Sequence, residues 1–343
     1  MNFRRFDAII DVRSPAEYAE DHIPGAISAP VLDDAQRAEV GTRYKRESAF
    51  EARKVGAALI AKNVARHIEQ FKDRPKSWHP LVYCWRGGKR SAAMAHVMRE
   101  IGWDAETLEG GYKAYRRFVV SQLRTLPSGL DFIVIHGPTG SGKSRLLGAL
   151  KRAGAQVLDL EELAAHRGSV LGNLPDRPQP TQKTFESLLL QRLSHLQAQE
   201  PVYVEGESKK IGELQVPEAL MTRMRASPCV VLETDVATRL DLLLDEYRHF
   251  LADRAALDKQ LDCLVALHGR DEIAAWKSLA ARGAWRDFVA RLLIEHYDPA
   301  YRRSSARNFA QLPQATPVRI ARADDAAFAA AARSLLDHTR VTA

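Results

Sequence analysis

The chain has 343 residues, 45% hydrophobic and 27% charged, the balance of a globular protein with room for two domains, each with its own core. No apolar run approaches the length of a membrane-spanning helix, and the opening "MNFRRFDAIIDVRS" lacks a secretion signal, so the cytoplasm is the expected compartment. Net charge is +7, and residues 1–125 hold most of it, with 22 Lys and Arg against 16 Asp and Glu; a basic first domain is compatible with a polyanionic partner such as RNA.

The first half alternates strand and helix signals. "DAIIDV" reads as a buried strand, and "SPAEYAE" opens a helix with Ser14 as N-cap and Glu17 three residues on. "HIPGAISAP" turns into a second strand, and a long helical stretch follows from about Ala49 to Phe71. Then come the strand "PLVYC", the helix "SAAMAHVMREIG", the short strand "AETLEG" and the helical "GYKAYRRFVVSQL". This is an α/β layout with a mostly parallel sheet over residues 1–123. Residues 124–131, "RTLPSGLD", have the composition of a linker. The second domain, 132–343, restarts with the strand "FIVIH" and becomes helical between about 236 and 297.

The three cysteines, Cys84, Cys229 and Cys263, have no close pair, which argues against disulfides and against a zinc site. Cys229 and Cys263 read as small buried core residues. Cys84 differs. It ends a strand, Ser91 begins a helix, and Gly87 and Gly88 let the backbone N–H groups between them turn inward. Arg86, Lys89 and Arg90 add positive charge, and the helix adds its N-terminal end. Such a setting lowers a thiol pKa and can hold the extra anionic atom of a persulfide, a perselenide or an oxyanion.

A second anion loop follows "FIVIH". Gly137, Gly142, Lys143 and Ser144 fill the pattern G-x-x-x-x-G-K-[ST], with Pro138, Thr139, Gly140 and Ser141 between, and a helix comes next. The backbone would wrap a di- or triphosphate, Lys143 would neutralise it, and Ser144 could ligand Mg²⁺. The pattern names phosphates only, so a nucleotide, a prenyl diphosphate and other diphosphates all stay open. "PVYVEGESKKIG" is a buried strand ending in Glu205 and Glu207, where such folds carry an acid near the metal or the attacking group. The polar stretch 166–186 offers His166, Arg167, Ser169 and Lys183 as anion ligands and reads as a substrate loop.

"DVRSPAEYAEDHIPGA", the cysteine loop and "LEGGYKAYR" together resemble the rhodanese family over about residues 1–120. Cys84 and Arg90 enclose five residues, a spacing also typical of cysteine phosphatases, whose loops usually carry fewer cations inside. With the P-loop domain the resemblance widens. "CWRGGKRSA", "GPTGSGKS", "DLEELAAHRGSVLG", "QPTQKTFE", "VEGESKKIG" and "HYDPAYRRS" look like the motifs, in order, of the bacterial tRNA 2-selenouridine synthase family. That resemblance implies a rhodanese-like domain followed by a P-loop NTPase-like α/β domain with a helical C-terminal part. It also implies a two-step reaction at the wobble uridine of tRNAs for lysine, glutamate and glutamine. The sulfur of 2-thiouridine is first alkylated by geranyl diphosphate, and the geranylthio group is then displaced by selenium from selenophosphate. Implied with it are Mg²⁺ at the P-loop, selenium delivery by Cys84 as a perselenide, and tRNA and a selenophosphate supply as partners; the chain is further expected to have no membrane partner and to be a monomer. The readings that compete are a sulfurtransferase or a cysteine phosphatase joined to a nucleotide-binding domain, and a binding module with an inactive loop.

Overall fold

The structure, a computed structural model, describes residues 1–248 and 253–342. It divides into two compact units: Met1–Gln122 with Thr181–Gln191, and the remainder of the described chain.

The first unit is built on four parallel strands in the order β2–β1–β3–β4, with β1 at Ala8–Asp11, β2 at Ile27–Ser28, β3 at Pro80–Tyr83 and β4 at Glu106–Thr107. A parallel sheet covered on both faces needs continuous apolar runs rather than alternation, as "PLVY" provides. Asp11 stands opposite Tyr83, so β1 and β3 finish together at one edge, where Cys84 begins its loop. Within residues 1–125 five helices connect or cover the strands: α1 (Pro15–Glu20), α2 (Asp34–Arg46), α3 (Ala49–Phe71), α4 (Lys89–Ile101) and α5 (Gly111–Thr125). α1 starts on the expected capping box, with Ser14 and Glu17 each accepting from the other's backbone N–H. The core gathers Ile10, Val82, Met94 and Met98, with Trp78 and Trp103 meeting edge to face at 5.1 Å. α2 has no counterpart in the apolar pattern, because none of its residues is buried.

Thr181–Gln191 belongs to this unit although the sequence divides the domains at 123. The reason lies in polar groups that it satisfies. Ser187 donates to buried Asp21 at 3.2 Å, Glu186 pairs with Arg116, and Lys183 pairs with Glu20 at 2.5 Å.

The second unit has five parallel strands in the order β11–β10–β5–β7–β6. They are β5 (Phe132–His136), β6 (Gln156–Leu158), β7 (Val202–Glu205), β10 (Cys229–Thr234) and β11 (Thr316–Ile320), and a small hairpin joins β8 (Lys210–Ile211) to β9 (Leu214–Gln215). From central β5 the chain crosses to β6, returns to β7 and later fills the other side with β10. The C-terminal ends of β5, β6 and β7 therefore converge at a switch point, the usual ligand position of open parallel sheets. The stretch 124–131 is mostly helical rather than a loose linker. α5 runs to Thr125, a 3₁₀ turn covers Leu126–Gly129, and Pro127 suits the start of that turn.

Beyond β10 the unit becomes helical, as expected. Helices such as Arg254–Asp262, Arg270–Ala281 and Trp285–Leu292 turn Leu261, Trp276, Phe288 and Leu292 into one apolar cluster. Cys229 is buried as expected, but Cys263 is exposed. Leu257 and Leu261 define the buried stripe of its helix, and two residues on from Leu261 the side chain faces the opposite side. Among the described residues no helix is long and apolar enough to cross a membrane.

Candidate active sites

In the first unit, Cys84 is buried beneath the loop that the sequence marked. The N–H of Gly88 donates to Sγ at 3.3 Å, and the Ser91 hydroxyl lies 3.3 Å from it. Gly88 caps α4 without any side chain, and the start of that helix is aimed at the sulfur, with the Ser91 N–H also donating to it. Burial opposes a thiolate here. The hydrogen bonds from Ser91 and Gly88 and the charge of Arg90 outweigh it and hold the Cys84 thiol below its ordinary pKa. Of the three predicted cations, Arg90 acts on the sulfur, while Arg86 and Lys89 are exposed.

The flanking signatures hold this loop in place. Arg90 is paired with Glu17 at 2.7 Å, which ties the cysteine loop to the capping box of α1. Gly87 has φ +67°, and a Cβ there would stand 2.6 Å from the Leu108 carbonyl. Gly111 has φ +55°, and a Cβ there would stand 2.2 Å from the Cys84 carbonyl. The "LEGG" turn thus lies against the back of the loop, where only glycine fits, and Tyr112 N–H donates to the Cys84 carbonyl at 2.8 Å. Deeper still, Arg13 and Asp11 form a fully buried pair at 2.6 Å, and the Arg13 guanidinium lies 4.0 Å over the Tyr112 ring.

In the second unit the P-loop runs from Gly137 to Gly142 between β5 and helix α6 (Lys143–Arg152). It borders a cleft of about 690 Å³. Gly142 caps α6 without a side chain, leaving N–H groups for phosphate oxygens. Lys143 Nζ donates back to the Gly137 carbonyl at 3.0 Å, within the same loop. Ser144 donates to Glu161 Oε2 at 3.0 Å, and Glu161 N–H donates to Glu205 at 2.7 Å.

Glu205 is buried, with one carboxylate oxygen lacking a partner. Burial, followed by the charges of Asp159 and Glu161, raises its pKa well above the usual carboxylate range. Glu161 is pushed up to about 7, chiefly by burial and then by the charge of Glu207. Among the described residues no three His, Cys, Asp or Glu side chains assemble into a metal site. Mg²⁺ at a phosphate loop needs fewer, since phosphate oxygens and water complete its shell. An all-oxygen set with an orphaned buried carboxylate oxygen suits such a hard cation, and Ser144 with Glu161 would hold it.

His166, Arg167 and Ser169 line this cleft. Arg167 pairs with Glu246 at 3.5 Å, and Ser169 lies 3.1 Å from the Tyr247 hydroxyl. Lys183 is not with them, because its partner is Glu20 of the first unit. Sequence reasoning missed Glu161, although it sits just past β6 in "DLEEL", at a strand end where acids gather. It also missed Arg239, which donates to the Thr139 carbonyl at 2.8 Å and pairs with Asp298 at 2.6 Å. Asp298 gives "HYDPAY" a role: through Arg239 it braces the P-loop. Buried His136 sits behind the loop with neither ring nitrogen partnered, and burial, then Lys143, lowers its pKa to about 4.

Comparison with known proteins agrees with both halves. Residues 2–118 match the family described as "Rhodanese-like domain", and residues 130–268 match "tRNA 2-selenouridine synthase AAA domain". The chain is similar to a protein of Nitrosomonas europaea named tRNA 2-selenouridine synthase, 38% identical over 70% of this chain and 63% of that one. A namesake from Bdellovibrio bacteriovorus is 36% identical over 71% of this chain and 65% of its own length. The chain thus spans less than two thirds of the length of these two relatives. Against a third, from Sulfurovum sp., the identity is 33% over 89% of this chain and 90% of the relative. With both halves matched in order and similarity running along nearly all of one relative, the chain belongs to the tRNA 2-selenouridine synthase family.

Proposed function

We propose that the chain converts 2-thiouridine at the wobble position of tRNA for lysine, glutamate and glutamine into 2-selenouridine, through an S-geranyl intermediate. The observation that carries this reading is the pairing, in one chain, of two different anion sites. One holds a thiol below its ordinary pKa, and the other is a phosphate loop facing buried carboxylates.

In the first step the P-loop holds the diphosphate of geranyl diphosphate. The thione sulfur attacks the terminal carbon of the geranyl group, the carbon–oxygen bond breaks, diphosphate leaves, and the base loses its N3 proton. Lys143 and the N–H groups at the start of α6 stabilise the charge that grows on the leaving diphosphate. Bound Mg²⁺ would supply further countercharge to the same oxygens.

Alkylation turns a thione into a group that leaves as a thiol. In the second step the Cys84 thiolate bonds to C2, the bond from C2 to the geranylthio sulfur breaks, and geranylthiol departs with a proton. Selenium in selenophosphate is already at the selenide level. It can displace Cys84 from C2 directly, and water then cleaves the Se–P bond to release phosphate without any oxidant. A selenophosphate-forming reaction must supply this substrate. Mass spectrometry of tRNA nucleosides from cells with and without the gene tests the proposal. Selenouridine and geranylthiouridine that both disappear with the gene support it, and selenouridine that persists overturns it.

A further inference from the structure

A groove of about 1090 Å³ runs along the first unit between α2, α3 and α4, and neither step described above uses it. On α3 its wall is Ala57, Ala61 and Ala65, which share one face at successive turns and leave a trough instead of a ridge. Ile60 and Val97 continue the apolar lining, and Tyr44 at its edge is 59% exposed. One end of the groove is formed by Lys89 and Arg90, the first residues of α4. They adjoin Gly88, whose N–H touches the Cys84 sulfur, so the groove starts at the cysteine loop. Arg37 and Arg53 add positive charge to the lining, against the single acid Glu69.

We propose that this groove holds the geranyl chain of the S-geranyl nucleoside while selenium replaces sulfur. The inference rests on the two-step reaction above. It adds that the first unit reads the prenyl group itself. The second-step substrate is amphipathic, a slim apolar chain attached to an anionic polynucleotide. The groove has the complementary character: an apolar trough with cations in its lining and at its loop end. From Lys89 to Val97 the helix advances about 12 Å, a length that suits two isoprene units. Burial of the chain would favour geranylated over merely thiolated RNA at Cys84, so selenation would follow alkylation and not compete with it. The departing geranylthiol would remain in the trough instead of entering water at the moment the C2–S bond breaks.

The test uses the full chain and the double variant Ala61→Glu with Val97→Glu, both at exposed helical positions. Two RNAs of the same sequence, one thiolated and one chemically S-geranylated, serve as probes for fluorescence anisotropy and for turnover. The variant should bind geranylated RNA at least about tenfold more weakly, as expected from losing the burial of about two methylene groups. It should lose selenation of that RNA mainly through KM, while binding thiolated RNA and geranylating it normally. Normal geranylation also shows that the variant is folded. Unchanged affinity for geranylated RNA would overturn the proposal. Equal weakening for both RNAs would overturn it too, and would assign the groove to the polynucleotide. A change in oligomeric state would assign it to a second copy of the chain. If wild-type protein fails to selenate geranylated RNA at all, the two-step reading itself falls, and this inference falls with it.

Discussion

Ser144 donates a hydrogen bond to Glu161 at 3.0 Å, so the last residue of the phosphate-loop motif is joined to an acid that follows a different strand. Glu161 has a pKa raised to about 7 from 4.5, and burial is the main cause. A carboxyl whose folded pKa is raised favours the fold in its protonated form. That contribution is complete below pH 4.5 and fades as pH rises through about 7.

The first prediction follows from this sign. Without divalent cation, Glu161 should lower thermal stability as pH rises from 5 to 8. Mg²⁺ with a diphosphate should restore it, because a bound cation favours the ionised carboxylate. The Mg²⁺-dependent rise in Tm should therefore be larger at pH 8 than at pH 5, and Glu161→Gln should flatten the difference. Thermal scans at both pH values check it. An equal Mg²⁺ effect at the two pH values in the wild type would remove Glu161 from the cation site.

A second prediction concerns Lys143. Replacing it with alanine removes the countercharge at the leaving diphosphate and should reduce kcat/KM for geranylation by about 100-fold or more. Selenation of RNA that already carries the geranyl group should be largely retained. Single-turnover assays of each step separate the two, and equal loss in both would mean that the P-loop has another task.

The third prediction is electrostatic. Arg90→Ala takes away a positive charge that favours the Cys84 thiolate, so the thiol should titrate at higher pH. Alkylation by iodoacetamide, followed site by site by mass spectrometry between pH 5 and 10, reports the midpoint. In the wild type Cys84 should react at lower pH than Cys229, whose pKa burial raises to about 11. Coincident profiles for wild type and Arg90→Ala would show that the charge is fully spent on Glu17.

Local chemistry was the legible part of this sequence. Ser14 and Glu17, Gly87 and Gly88, and the stretch Gly137–Ser144 each declare a turn or a cap through residues only a few positions apart. The strands β3, β5 and β7 are equally readable from continuous apolar runs, and the helix Ala49–Phe71 from apolar residues interrupted at helical spacing. What escaped depends on residues far apart in the chain. Nothing near Lys183 announces Glu20, and nothing near Asp298 announces Arg239 or the Thr139 carbonyl. Glu161 gains its meaning only when β5, β6 and β7 bring their ends together. Cys263 is exposed for the opposite reason: an apolar neighbourhood in sequence does not fix which side of a helix faces the core.

The fourth prediction tests the division of labour between the two units, the central claim, most directly. Serine at position 84 preserves the loop, its cations and its size, but its hydroxyl stays protonated and is a poor nucleophile at C2. Cys84→Ser is given thiolated RNA, geranyl diphosphate, Mg²⁺ and selenophosphate, and the nucleosides are resolved by mass spectrometry over time. Geranylthiouridine should form at the wild-type rate and accumulate, with selenouridine absent. Selenouridine formed at the normal rate, or no geranylthiouridine at all, would contradict the account.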